Sequence, residues 1–117
     1  MKFKRVRTSQ PDQLVLDALA RRGSDFSLPH PVRLYLYFPD EARAHDAAAA
    51  LRKKGYATQV SLGGDGASWR VRAERTFLLS LQAAAALRAE ITALAASYGG
   101  DYDGWEAAVT KAETTVN

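Results

Sequence analysis

The chain has 117 residues, of which 47% are hydrophobic and 25% charged, the balance of one ordinary globular domain rather than two. Sixteen Lys and Arg against thirteen Asp and Glu leave +3, but Lys2, Lys4, Arg5 and Arg7 precede the first acid, and from Thr8 onward the count is twelve against thirteen. The folded body is therefore close to neutral, which removes bulk charge as an argument for a nucleic-acid-binding core. No cysteine is present, so disulfide frameworks, zinc knuckles and thiol nucleophiles are excluded.

The segment 11–22 reads as a short helix, with Leu14, Val15, Ala18 and Leu19 on one apolar face, Pro11 in its first turn and Gly23 as its stop. Between Ser24 and Pro31, two prolines flank His30 and predict an irregular connector. Val32 to Phe38 is the clearest strand. Val32, Leu34, Leu36 and Phe38 fall on one side; Arg33, Tyr35 and Tyr37 fall on the other. A helix follows from Asp40 and Glu41 to about Lys54, acidic at its start, basic at its end and alanine-rich at Ala47 to Ala50. Tyr56 to Leu62 and Ser68 to Glu74 alternate on either side of Gly63-Gly64-Asp65-Gly66 and predict a hairpin, with Trp69, Val71 and Ala73 inward. Ser80 caps a long helix whose stripe is Ala84, Leu87, Ile91, Leu94, Ala95 and Tyr98. Gly99-Gly100 ends it, and a last short strand lies around Tyr102 to Trp105.

That order predicts an α+β fold: a ferredoxin-like β-α-β-β-α-β sandwich, a four-stranded antiparallel sheet with two helices on one face, preceded by a short N-terminal helix. Residues 1–8 read as a basic tail, 9–110 as a single domain (helix 11–22, core 32–109) and 111–117 as a C-terminal tail. The first and third core strands become central neighbours, leaving one sheet face open.

On that open face the alternation places Arg33, Tyr35 and Tyr37 beside Arg70, Arg72 and Glu74. Aromatic rings among arginines on central strands stack bases in RNA-recognition modules, so direct contact with single-stranded RNA is one reading. The third strand, Ser68 to Glu74, lacks the aromatic-rich pattern of those modules, and its Trp69 points the other way. Protein docking is another reading, since tyrosine and arginine are enriched at interface hot spots. A third is self-association into a homodimer, and the blandest is a solvated surface, where tyrosine merely suits a strand.

Other candidates carry less. Gly63 to Gly66 leads into a strand, whereas a phosphate cradle needs a helix N-terminus after its glycines. His30 and His45 have no partner at diagnostic spacing, and Asp40-Glu41 and Asp101/Asp103 suit capping and turns. No general acid, base and nucleophile set is legible, no metal-ligand spacing occurs and no cofactor motif is present, so the reading is of a protein that is not an enzyme. No apolar run reaches the roughly 20 residues of a membrane helix, and the basic start lacks the apolar run of a secretory signal. A cytoplasmic setting is the expectation.

Gly99-Gly100-Asp101-Tyr102-Asp103-Gly104-Trp105 is the most unusual string. An acidic-aromatic loop for a partner or cation is one interpretation; a helix stop turning into an edge strand, with Trp105 in the core, is the other. Together with His30-Pro31-Val32, Leu36-Tyr37-Phe38-Pro39 and Lys54-Gly55-Tyr56, it resembles the regulator of ribonuclease E activity B (RraB) family over about Gln10 to Val109. The resemblance implies a ferredoxin-like, non-catalytic domain that binds ribonuclease E, or another RNA-processing protein, and modulates RNA decay. The family's founding branch looks strongly acidic; this body is near neutral with a cationic start, which bears on partner choice. The residues assigned to partner binding are Arg33, Tyr35, Tyr37, Arg70 and Arg72, with Tyr102 and Trp105 added from the C-terminal string.

Overall fold

A computed structural model describes residues 3–5 and 12–112. The elements run β1 (Phe3–Arg5), α1 (Asp12–Arg21), β2 (His30–Phe38), α2 (Glu41–Lys53), β3 (Ala57–Leu62), β4 (Trp69–Phe77), α3 (Leu81–Ser97) and β5 (Asp101–Ala108). The sheet is ordered β1-β5-β2-β4-β3 and every neighbouring pair is antiparallel. Its four core strands, β5-β2-β4-β3, have the ferredoxin-like order, with β2 and β4 central as the alternation requires.

Local chemistry sets most boundaries. Asp40 caps α2 by accepting the Arg43 amide at 2.9 Å, and Ser80 caps α3 by accepting the Ala83 amide at 3.0 Å. In the β3–β4 turn, Asp65 Oδ1 accepts the amides of Ala67 and Ser68, each at 2.9 Å. These bonds stabilise the carboxylate, so its pKa lies below the ordinary value.

Alanines 44, 47 and 48 are fully buried with Leu51 on the inner side of α2, where small side chains let the helix approach the sheet closely. The core beneath the helices joins Val32, Leu34, Leu36 and Phe38 of β2 to Val71 and Ala73 of β4 and to Leu87, Ile91 and Ala95 of α3. Burial of these side chains is the main stabilising contribution to the fold.

The structure differs from the sequence reading in three places that bear on the sheet. β2 begins at His30, not Val32, so Pro31 lies inside a strand. Pro31 pairs with Thr76 of β4, while pairing with β5 starts only at Val32. One side of the strand therefore demands no amide there, as proline requires. Next, within the expected basic tail, Phe3–Arg5 forms a fifth strand on β5, with Arg5 opposite Glu106. Backbone pairing of three residues needs no side-chain alternation, so no pattern announced it. Residues 1–2, 6–11 and 113–117, which include Pro11 and most of the expected tails, lie outside the described residues. Finally, β5 extends to Ala108 rather than ending near Trp105, which brings Glu106 into the sheet.

Candidate functional site

Cross-strand register builds the open face. Arg33 lies opposite Glu74, Tyr35 opposite Arg72 and Tyr37 opposite Arg70, all on the side away from the helices. β5 contributes Glu106, opposite Arg33, and Gly104, opposite Tyr35. β3 adds Gln59 opposite Arg72 and Ser61 opposite Arg70. Five of the seven assigned residues thus come together on two adjacent strands: Arg33, Tyr35, Tyr37, Arg70 and Arg72.

Their side chains form a connected polar layer. Arg33 Nε donates to Glu74 Oε1 at 2.8 Å, and this bond raises the arginine's pKa further. Tyr35 Oη donates to Glu106 Oε2 at 3.2 Å, and both residues are buried. The Arg70 guanidinium sits 5.7 Å from the centre of the Tyr35 ring, within reach of a cation–π attraction. Arg72 Nη2 donates to Gln59 Oε1 at 2.6 Å. Tyr35 is therefore a supporting residue: it holds Glu106 and carries Arg70 above it. Arg33, Tyr37, Arg70 and Arg72 are the partly exposed members. Glu106 and Gln59 escaped the sequence reading. The alternation would have included Glu106 had the last strand been read to its full length.

Tyr102 and Trp105 are elsewhere. A bulge places Tyr35 opposite Gly104 but Leu36 opposite Tyr102, so Asp103 is an extra residue in β5. Gly104 adopts φ 114°, a left-handed value that glycine tolerates best. With the bulge in place, Tyr102 and Trp105 both face the helices, and neither belongs to the open face. Trp105 Nε1 donates to Asp12 Oδ1 at 3.3 Å, and Arg88 Nη2 lies 3.2 Å from Asp12 Oδ2. Asp12 is itself buried, so a single carboxylate ties α1 to both β5 and α3.

The same layer holds two phenols without hydrogen-bond partners, Tyr56 and Tyr102. Burial pushes the Tyr102 pKa well above its ordinary value, with the Asp12 carboxylate adding to the effect. Burial also raises Tyr56; the Arg75 guanidinium opposes this electrostatically, without a directed hydrogen bond. A raised folded-state pKa contributes stability that is complete below the unfolded tyrosine pKa of about 10 and declines as pH rises past it. Alkaline titration should therefore show the phenolate absorbance of Tyr56 and Tyr102 developing late and together with unfolding. Tyr102→Phe should shift the unfolding transition to higher pH, while leaving neutral-pH stability unchanged or improved because an unpartnered hydroxyl is removed. An unchanged alkaline transition in that variant would contradict the assignment.

The histidines are structural or superficial. His30 is fully buried; its Nδ1 meets Leu28 O at 2.9 Å, its Nε2 meets Ser24 Oγ at 3.1 Å, and its ring stacks on Phe26. His45 is exposed, with its Nε2 3.3 Å from Glu41 Oε2 one helical turn back. Among the described residues, no three His, Cys, Asp or Glu side chains gather as metal ligands, and no helix is long and apolar enough to cross a membrane.

No curated protein matches the chain. The family model described as regulator of ribonuclease activity B matches residues 9–107, nearly the whole domain. Its extent agrees with the fold, since it begins just before α1 and ends within β5, taking in both the Asp12–Trp105 anchor and all of β2, β4 and β3. The chain belongs to the regulator of ribonuclease activity B family, RraB.

Proposed function

We propose that the chain regulates a ribonuclease by binding it, without catalysing a reaction, and that the open sheet face is its docking surface. The observation that carries this reading is the family match over residues 9–107. The helix-free side supplies suitable chemistry. Arg70 and Arg72 have donors to offer carboxylates, Tyr37 offers a flat ring, and the strands beneath hold both rigidly. The Arg33–Glu74 and Tyr35–Glu106 bonds fix neighbouring side chains before any partner arrives, which lowers the ordering cost of association. The specific target by resemblance is ribonuclease E.

The test is capture of ribonuclease E fragments by wild-type chain and by Tyr37→Ala/Arg70→Ala. The double variant should lose at least about tenfold in affinity, the scale of removing two central interface side chains. A matched pair of changes on the far side of the molecule, Ala93→Ser/Thr92→Ala on the exposed surface of α3, should leave capture intact. Undiminished capture by a folded Tyr37→Ala/Arg70→Ala protein would remove this face from the account.

A further inference from the structure

The two edges of the core sheet are treated differently. β5 is covered by the chain's own strand β1, whereas β3 pairs only with β4 and has no strand against its outer edge among the described residues. Exposed edges are usually protected by lysine, proline, a bulge or brevity, because their free amides and carbonyls recruit other strands. β3 has none of the first three. Its sequence, Ala57-Thr58-Gln59-Val60-Ser61-Leu62, contains no ionisable residue and no proline, and it pairs with β4 in unbroken register from Ala57–Glu74 to Leu62–Trp69. Six residues offer about 20 Å of edge, enough for another strand of ordinary length. Leu62 is half exposed at its end.

Charge lies on both sides of that neutral edge. On the helix side, Arg52 of α2 reaches down and donates to Thr58 Oγ1 at 2.9 Å. On the open side, Arg72 of β4 reaches across and donates to Gln59 Oε1 at 2.6 Å. Each guanidinium is anchored to a β3 side chain by a neutral acceptor, and neither has a carboxylate partner among the described residues. Guanidinium groups held in place with donors to spare are suited to carboxylates arriving on either face of an added strand.

We propose that β3 is a strand-addition site for an extended acidic segment of a protein partner, with acids on both of its faces meeting Arg52 and Arg72. A second copy of this chain fits less well. An antiparallel β3–β3 pair would bring two Arg52 and two Arg72 side chains to the same seam without acids opposite them. The inference rests on the reading that the chain acts by binding a protein, but places part of that contact at an edge rather than on the open face.

The experiment uses the full chain and three synthetic ten-residue peptides: one in which Glu recurs among Val and Thr on both faces, the same with Lys for Glu, and the Glu peptide N-methylated at alternate residues. Amide hydrogen exchange should slow at least about tenfold across residues 57–62 with the Glu peptide, and not with the other two. Arg52→Glu should weaken the Glu peptide about tenfold and favour the Lys peptide, with the fold unchanged by circular dichroism. Equal binding of the Glu and Lys peptides, or no binding of the Glu peptide at millimolar concentration, overturns the proposal and leaves the arginines as guards of the edge. Edge protection that grows with protein concentration alone also overturns it, in favour of self-pairing. The two readings fail separately. Slowed exchange at β3 without capture of ribonuclease E sinks only the ribonuclease assignment; capture with unprotected β3 amides sinks only the edge site.

Discussion

Trp105→Ala is expected to destabilise the protein by about 3–5 kcal/mol, a large share of the roughly 5–15 kcal/mol available to a domain of this size. Trp105 is buried on the helix side of β5, and its indole N–H donates to Asp12 Oδ1. Truncation would therefore leave a cavity and also strip a buried carboxylate of a hydrogen bond. Trp105→Phe separates the two effects. It keeps most of the apolar volume but not the donor, and should cost about 1–3 kcal/mol. Asp12→Ala should lose stability on the same scale, because it removes the link from α1 to both Trp105 and Arg88. Urea denaturation followed by far-ultraviolet circular dichroism measures all three. A Trp105→Ala cost below 1 kcal/mol would mean that this contact does not hold the first helix to the sheet.

Gly100→Ala should cost about 3 kcal/mol, at the upper end for inserting one methyl group into a packed site. A Cβ at Gly100 would collide with the Phe38 ring and with the carbonyl oxygen of Tyr37. Phe38 is among the most deeply buried side chains, and a carbonyl in a paired strand cannot swing aside. The requirement comes from close approach, since Gly100 does not adopt a positive φ. Gly64→Ala is the control. Nothing lies within 4 Å of a Cβ there, so its effect should stay within about 0.5 kcal/mol. If both variants melt together with wild type, the chain at Gly100 has room for a Cβ between Phe38 and the Tyr37 carbonyl, against the expectation.

These two predictions locate the most distinctive string of the chain. Gly99 to Trp105 builds the scaffold: a helix stop, a close crossing, a bulge and an indole anchor. The surface proposed for a partner lies on the other side of the sheet and uses β2 and β4.

Alternation along β2 and β4, helix caps at Asp40 and Ser80, and glycine stops were readable from the chain alone because each depends on neighbours a few residues away. They were enough to set the α+β class, the order of the elements from α1 onward and the company of Arg33, Tyr35, Tyr37, Arg70 and Arg72. Four features depended on distant partners and were settled only by tertiary structure. The bulge at Asp103 turned Tyr102 toward the helices, because β5 had to fit a register imposed by β2. The carboxylate of Asp12 found its donor in Trp105, 93 positions later. The lack of an outer neighbour on β3 among the described residues, and the burial of Tyr35 against Glu106, followed from which strands lay alongside. Periodicity tells a side chain which way to point; what it meets there depends on packing between segments that no local pattern encodes.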